Sequence, residues 1–140
     1  MPTPRTATQP ARTIRLIYAA LVSGVCLFAL VSHFALRPAM GGSTQLPSTL
    51  VPALLGVALA ACALSLLLRR RIPRRSTDES ADLFWSGAVT PALITWAAVE
   101  GAGLLSVLLY ALTGAQSAIA VAAVAIILFL SLNPTFLERR

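Results

Sequence analysis

The sequence predicts an all-α protein, a bundle of four transmembrane helices in up-down antiparallel order with both termini in the cytoplasm. Three observations predict it. Apolar residues fill 57% of the 140 positions and charged residues 11%, against about 45–50% and about 25% in soluble domains. The apolar residues collect in four runs, 14–36, 50–68, 87–112 and 115–132. Each is near the ~20 residues that cross ~30 Å of hydrocarbon, and a backbone in lipid must satisfy its own polar groups as helix. The third observation is the charge pattern. All eleven basic residues are arginines, and ten lie before or at the very start of the first run, after the second, or at the end of the chain. Cytoplasmic loops carry the excess of arginine and lysine, so both termini and the central loop belong on that side.

Residues 1–13 are expected to form a disordered cytoplasmic tail, rich in Pro and Thr around Arg5 and Arg12. The first span is longer than the 7–15 apolar residues of a signal peptide core, so it is read as a retained helix. It carries Tyr18 near one end and His33 near the other. Pro38, Gly41, Gly42 and Pro47 mark an external turn region after it. The second span is short and rich in small residues. The Ser76-Thr77-Asp78-Glu79 stretch fits a capping box with Ser76 as N-cap. It would open a short interfacial helix, with Trp85 at headgroup level. Pro91 either kinks the third helix or starts its main body, and Gly114 is the expected left-handed cap. The short connection makes the third and fourth helices antiparallel neighbours. Asn133-Pro134 stops the fourth helix, and residues 134–140 form a second cytoplasmic tail.

One acidic residue lies within these runs. Glu100 sits nine residues beyond Pro91, roughly 13 Å along a helix and so close to the bilayer midplane. Inserting such a group costs about 2.5 kcal/mol or more, and membrane-buried acids are by default paired, protonated or functional. Hydrocarbon surroundings favour the neutral acid. Ala97, Gly101 and Gly103 beside it let another helix approach, and Trp96, Ser23 and Ser106 complete the expected neighbourhood. Two roles compete: an exchangeable proton or cation site, or a neutral carboxyl that hydrogen-bonds helices together.

The remaining features point away from other chemistry. Arg69, Arg70, Arg71, Arg74 and Arg75 are explained by topology, which removes the reason to read them as a nucleic-acid site. They suit contact with anionic lipid headgroups instead, at ~1 kcal/mol each. Cys26 and Cys62 fall at similar depth and read as small apolar residues. His33 reads as a polar edge, because a metal or haem needs further ligands. No Ser/His/Asp set, phosphate loop, metal-ligand cluster or dinucleotide fingerprint occurs, so no enzyme, metal, cofactor or small-molecule substrate is expected.

Residues 92–114, ALITWAAVEGAGLLSVLLYALTG, resemble the carboxylate-bearing helix of the proteolipid (c-type) subunits of rotary ATPases. That resemblance implies a glutamate that takes up and releases H⁺ or Na⁺, carried over to Glu100 alone. The glycine-repeat helix of that family is absent here, and its polar loop is replaced by Arg70-Arg71-Ile72-Pro73. Most of the chain is similar to small bacterial four-helix membrane proteins of unknown function. That similarity rests on Ile17-Tyr18-Ala19-Ala20-Leu21 with Gly24, on residues 97–101 with 112–114, and on Pro134-Thr135. Small cation antiporters also have four helices and one membrane glutamate, but theirs is in the first helix. The reading that follows is a bacterial inner-membrane protein, proteolipid-like, that forms a homo-oligomer or joins other membrane subunits.

Overall fold

The computed structural model describes residues 10–39, 46–47 and 49–138; Arg5, Gly41, Gly42, Arg139 and Arg140 lie outside them. These residues are helical between short turns, and no strand occurs among them. Helix α1 runs Pro10–Ala39, and its Ser32–Leu36 segment widens to π geometry. Helix α2 is Leu50–Leu68, closed by a 3₁₀ turn over Arg69–Arg71. Helix α3 is Ala81–Thr113, α4 is Gln116–Ser131 and α5 is the single turn Pro134–Glu138. Three helices, α1, α2 and α3, are long and apolar enough to cross a membrane. At 16 residues α4 is shorter, about 24 Å at 1.5 Å per residue.

Helix α3 is the hub, packed against α1, α2 and α4. Half of its most apolar window (50%) is buried, against 17% in α1 and 22% in α2. The outward faces carry Leu16, Leu27, Phe34, Val57, Leu67 and Ile127, all more than half exposed. A soluble protein rarely leaves so much apolar surface uncovered, whereas a lipid-facing one must. Gly103 allows a close approach. A Cβ there would stand 3.1 Å from Val25 Cγ1 of α1 and 3.6 Å from Ala125 Cβ of α4. Small residues at such crossings let backbones draw together where no hydrophobic force separates helix from lipid.

Several boundaries differ from the sequence reading. Helix α1 already includes Pro10–Thr13, within the expected tail, and proline is compatible with a first helical turn. Ser80, not Ser76, is the N-cap of α3: its Oγ accepts from the Leu83 N–H at 3.2 Å. The Glu79 carboxylate does reach back to the Ser76 N–H at 3.3 Å, but it closes only a turn. Helix α3 then continues through Pro91 without a break. Trp85 is 1% exposed and packs inside the end of the bundle, its indole turned to Glu138. Pro134–Glu138, expected as tail, is helical because Asn133 caps it, its Oδ1 accepting from the Thr135 N–H at 2.9 Å. Gly114 is the left-handed cap the sequence predicts, at φ 69°, its N–H donating to the Tyr110 carbonyl at 2.8 Å.

Candidate functional site

Glu100 lies on the α1-facing edge of α3, half-buried. It borders a shallow groove of about 430 Å³ made with Gly24 and Phe28 of α1 and Leu104, Leu105 and Leu108 of α3. The groove is apolar and open on its outer side. Glu100 makes no hydrogen bond or ion pair to another described residue. The expected polar neighbours are occupied elsewhere or turned away. Ser106 is buried and donates to its own helix at the Ala102 carbonyl, 2.8 Å away. The Trp96 indole donates to the Leu132 carbonyl at 3.0 Å, and Ser23 is exposed on α1. Of the small neighbours, Ala97 and Gly101 are exposed, while Gly103 is buried on another face. A Cβ on Gly24 or Gly101 would meet nothing within 4 Å. The groove therefore has room for atoms that this chain does not supply.

A second polar group closes one end of the bundle. Arg15 of α1 holds both carboxylate oxygens of Glu138, at 2.7 and 3.0 Å. The Trp85 indole donates to the same carboxylate at 2.7 Å. Nearby, the Ala11 N–H donates to Asp82 at 3.1 Å, which satisfies one of the open N–H groups at the start of α1. Arg70, Arg71 and Arg74 are exposed after α2, at the end of the chain's path that leads into α3, whereas Arg75 donates to the Glu79 carbonyl at 2.8 Å.

At the other end, three residues that sequence reasoning did not combine come together. Tyr110 of α3 receives the Arg37 Nη1–H at 2.6 Å, and its hydroxyl lies 2.9 Å from His33 Nδ1. The Arg37 guanidinium also stands over the Tyr110 ring, 4.9 Å from its centre. The His33 and Tyr110 rings are nearly parallel, 12° apart at 6.0 Å. The signal available in the sequence was the four-residue spacing of His33 and Arg37, together with a tyrosine four residues before the Gly114 cap.

No protein-family model, curated relative or solved structure matches this chain, so what the residues can do is argued from their chemistry alone.

Proposed function

We propose that this chain is a small multi-pass membrane protein, proteolipid-like, in which Glu100 is a reversible proton or cation site. In this reading four helices cross a bacterial inner membrane, with both termini and the Arg69–Arg75 loop in the cytoplasm. The loop arginines rest among anionic headgroups. The chain works as a homo-oligomer or beside other membrane subunits, because the groove beside Glu100 is incomplete by itself.

One observation carries the proposal. The sole acidic side chain within the four apolar runs has no hydrogen-bond or ion-pair partner among the described residues and faces a groove open to the outside. A carboxyl in that setting must stay neutral or find a partner from a neighbouring chain, and it can release its proton only where that partner accepts it. The competing reading is a non-transporting structural or assembly subunit in which the carboxyl only bonds helices together; among the described residues of this chain there is no such bond.

The test is Glu100→Gln in proteoliposomes. The parent should react with a carboxyl-directed carbodiimide within the membrane and conduct protons, and the variant should do neither. Equal proton flux in parent and variant would end the proposal and leave an assembly role.

A further inference from the structure

We propose that the His33–Arg37–Tyr110 cluster is the headgroup site of a bound anionic phospholipid, with one acyl chain lying in the groove that runs from it between α1, α3 and α4. The groove has a volume of about 210 Å³. His33 and Tyr110 form its polar head, and Ala29, Val107, Ile119 and Ala123 are among the residues of its apolar body. That volume is below the about 300–1,000 Å³ of pockets that enclose drug-sized molecules, and its lining is apolar except at His33 and Tyr110. The site stands apart from Glu100 and from the arginines of the central loop.

The sequence builds this site through a local irregularity. Pro38 has no N–H, so the Phe34 carbonyl loses its usual partner. The turn before it widens, and the Arg37 N–H bonds the Ser32 carbonyl, five residues back. Such widened turns occur frequently at functional sites. Here the turn sets His33 and Arg37 on the same side, facing Tyr110. It also leaves the Ser32 hydroxyl, which is 0% exposed, without a hydrogen-bond partner, a local cost that packing alone does not account for.

The electrostatics select an anion. All five acidic residues are Asp78, Glu79, Asp82, Glu100 and Glu138. Four lie beside the opposite end of α3, and Glu100 is ten residues from Tyr110, roughly 15 Å along the helix. Arg37 is exposed and has no carboxylate partner among the described residues; besides Tyr110 it faces the partial negative charge at the end of α3 near Gly114. Hydrogen bonding adds direction. Tyr110 oxygen accepts from Arg37, and its own proton is free to go to His33 Nδ1. In that arrangement the imidazole carries its proton on Nε2, and both His33 and Arg37, exposed side chains, retain N–H donors for a ligand. A phosphodiester supplies acceptors and one negative charge, and guanidinium is well matched to it. The apolar groove continuing from the same two rings calls for an acyl chain, which a free anion does not have.

The experiment is native mass spectrometry of the full chain released from mild detergent. Phosphatidylglycerol, phosphatidylcholine and inorganic phosphate are offered separately and in competition. The parent should retain phosphatidylglycerol over phosphatidylcholine, and Arg37→Gln should lower that retention about tenfold, the loss of one charge-assisted contact. Arg37 also rests on the end of α3, so an exposed position in the groove carries the test independently. Ala123→Phe should fill the groove and lower retention, while Ile127→Phe, exposed on α4 outside the groove, should not. Equal retention of the two lipids, or unchanged retention in folded Arg37→Gln, overturns the assignment. So does displacement of the lipid by inorganic phosphate with Ala123→Phe behaving as the parent, which would make this a free-anion site.

Discussion

Arg15 and Glu138 are 123 positions apart in sequence and 2.7 Å apart in space. Their contact joins the first turns of α1 to the last turn of the described chain, and Trp85 from the start of α3 completes the group. Three segments that hydropathy treats as separate are held together by one carboxylate whose side chain is 9% exposed. The pairing also explains why Pro134–Glu138 folds back as a helical turn, with Leu137 2% exposed beside it.

This carboxylate gives the first prediction. Arg15→Gln and Glu138→Gln should each lower unfolding stability in mixed detergent micelles. A double-mutant cycle should return a coupling of about 1 kcal/mol, since Arg15 is half exposed and solvent screens the pair. Trp85→Phe should destabilise on its own by removing an indole donor. A coupling of zero would mean that apolar packing of Leu137 alone holds the turn.

The end of α4 is tied in a different way. Tyr18 donates to the Phe129 carbonyl at 2.8 Å and Trp96 to the Leu132 carbonyl at 3.0 Å, and their rings meet at 5.2 Å. Carbonyls at a helix end are short of intrahelical partners; Tyr18 adds a second donor to Phe129, which also takes the Leu132 N–H at 3.0 Å, and Trp96 supplies one to the C-cap Leu132. Tyr18→Phe and Trp96→Phe should each cost roughly 1–3 kcal/mol. Ser106→Ala should change stability by about 0.5 kcal/mol or less, because that hydroxyl only returns to its own helix. Thermal unfolding of the three variants in one detergent separates the two classes.

Sequence reasoning reached the helical class and the three helices apolar enough to cross a membrane because both depend on summed composition, which is local. Gly114 was legible for the same reason: a glycine between two apolar runs has few other uses. The partners of polar groups were not legible. Hydropathy is nearly even around α2, α3 and α4, so it does not say which faces meet. Tyr110 therefore gave no sign that it would join His33 and Arg37, which are 77 and 73 positions away. Ser76 fitted the capping pattern better than Ser80 did, yet Ser80 precedes the residues that pack. Glu100 was found easily by its isolation, but its place at the edge of α3 depends on how α1 crosses, which no local pattern encodes.

Two nearby glycines should separate packing inside the chain from packing between chains. Gly103→Val would press a side chain against Val25 and Ala125 and should destabilise the bundle by about 1–3 kcal/mol. Gly101→Val carries the same helix penalty but enters open space, so unfolding should change far less. Its effect belongs on assembly, because Gly101 is exposed next to Glu100. Native mass in mild detergent should show a loss of oligomer for Gly101→Val. The same oligomer in both variants would remove the exposed side of α3 as a contact between copies.

Gly114 couples backbone geometry to the cluster at that end. Its φ of 69° is unfavourable for residues with a Cβ, and a Cβ there would also stand 3.1 Å from Arg37 Nη2. The strain should cost Gly114→Ala about 1–2 kcal/mol. The guanidinium is the far end of a flexible chain, so it can move aside, but only by leaving the Tyr110 hydroxyl. Asparagine tolerates the left-handed region better than alanine does and brings the same Cβ. Gly114→Asn should therefore recover part of the lost stability while still lowering phosphatidylglycerol retention as Gly114→Ala does. Thermal unfolding and lipid retention measured on both variants would show the two effects separating. If retention instead rises and falls with stability, Arg37 is held by the helix end alone, and its position does not govern the lipid.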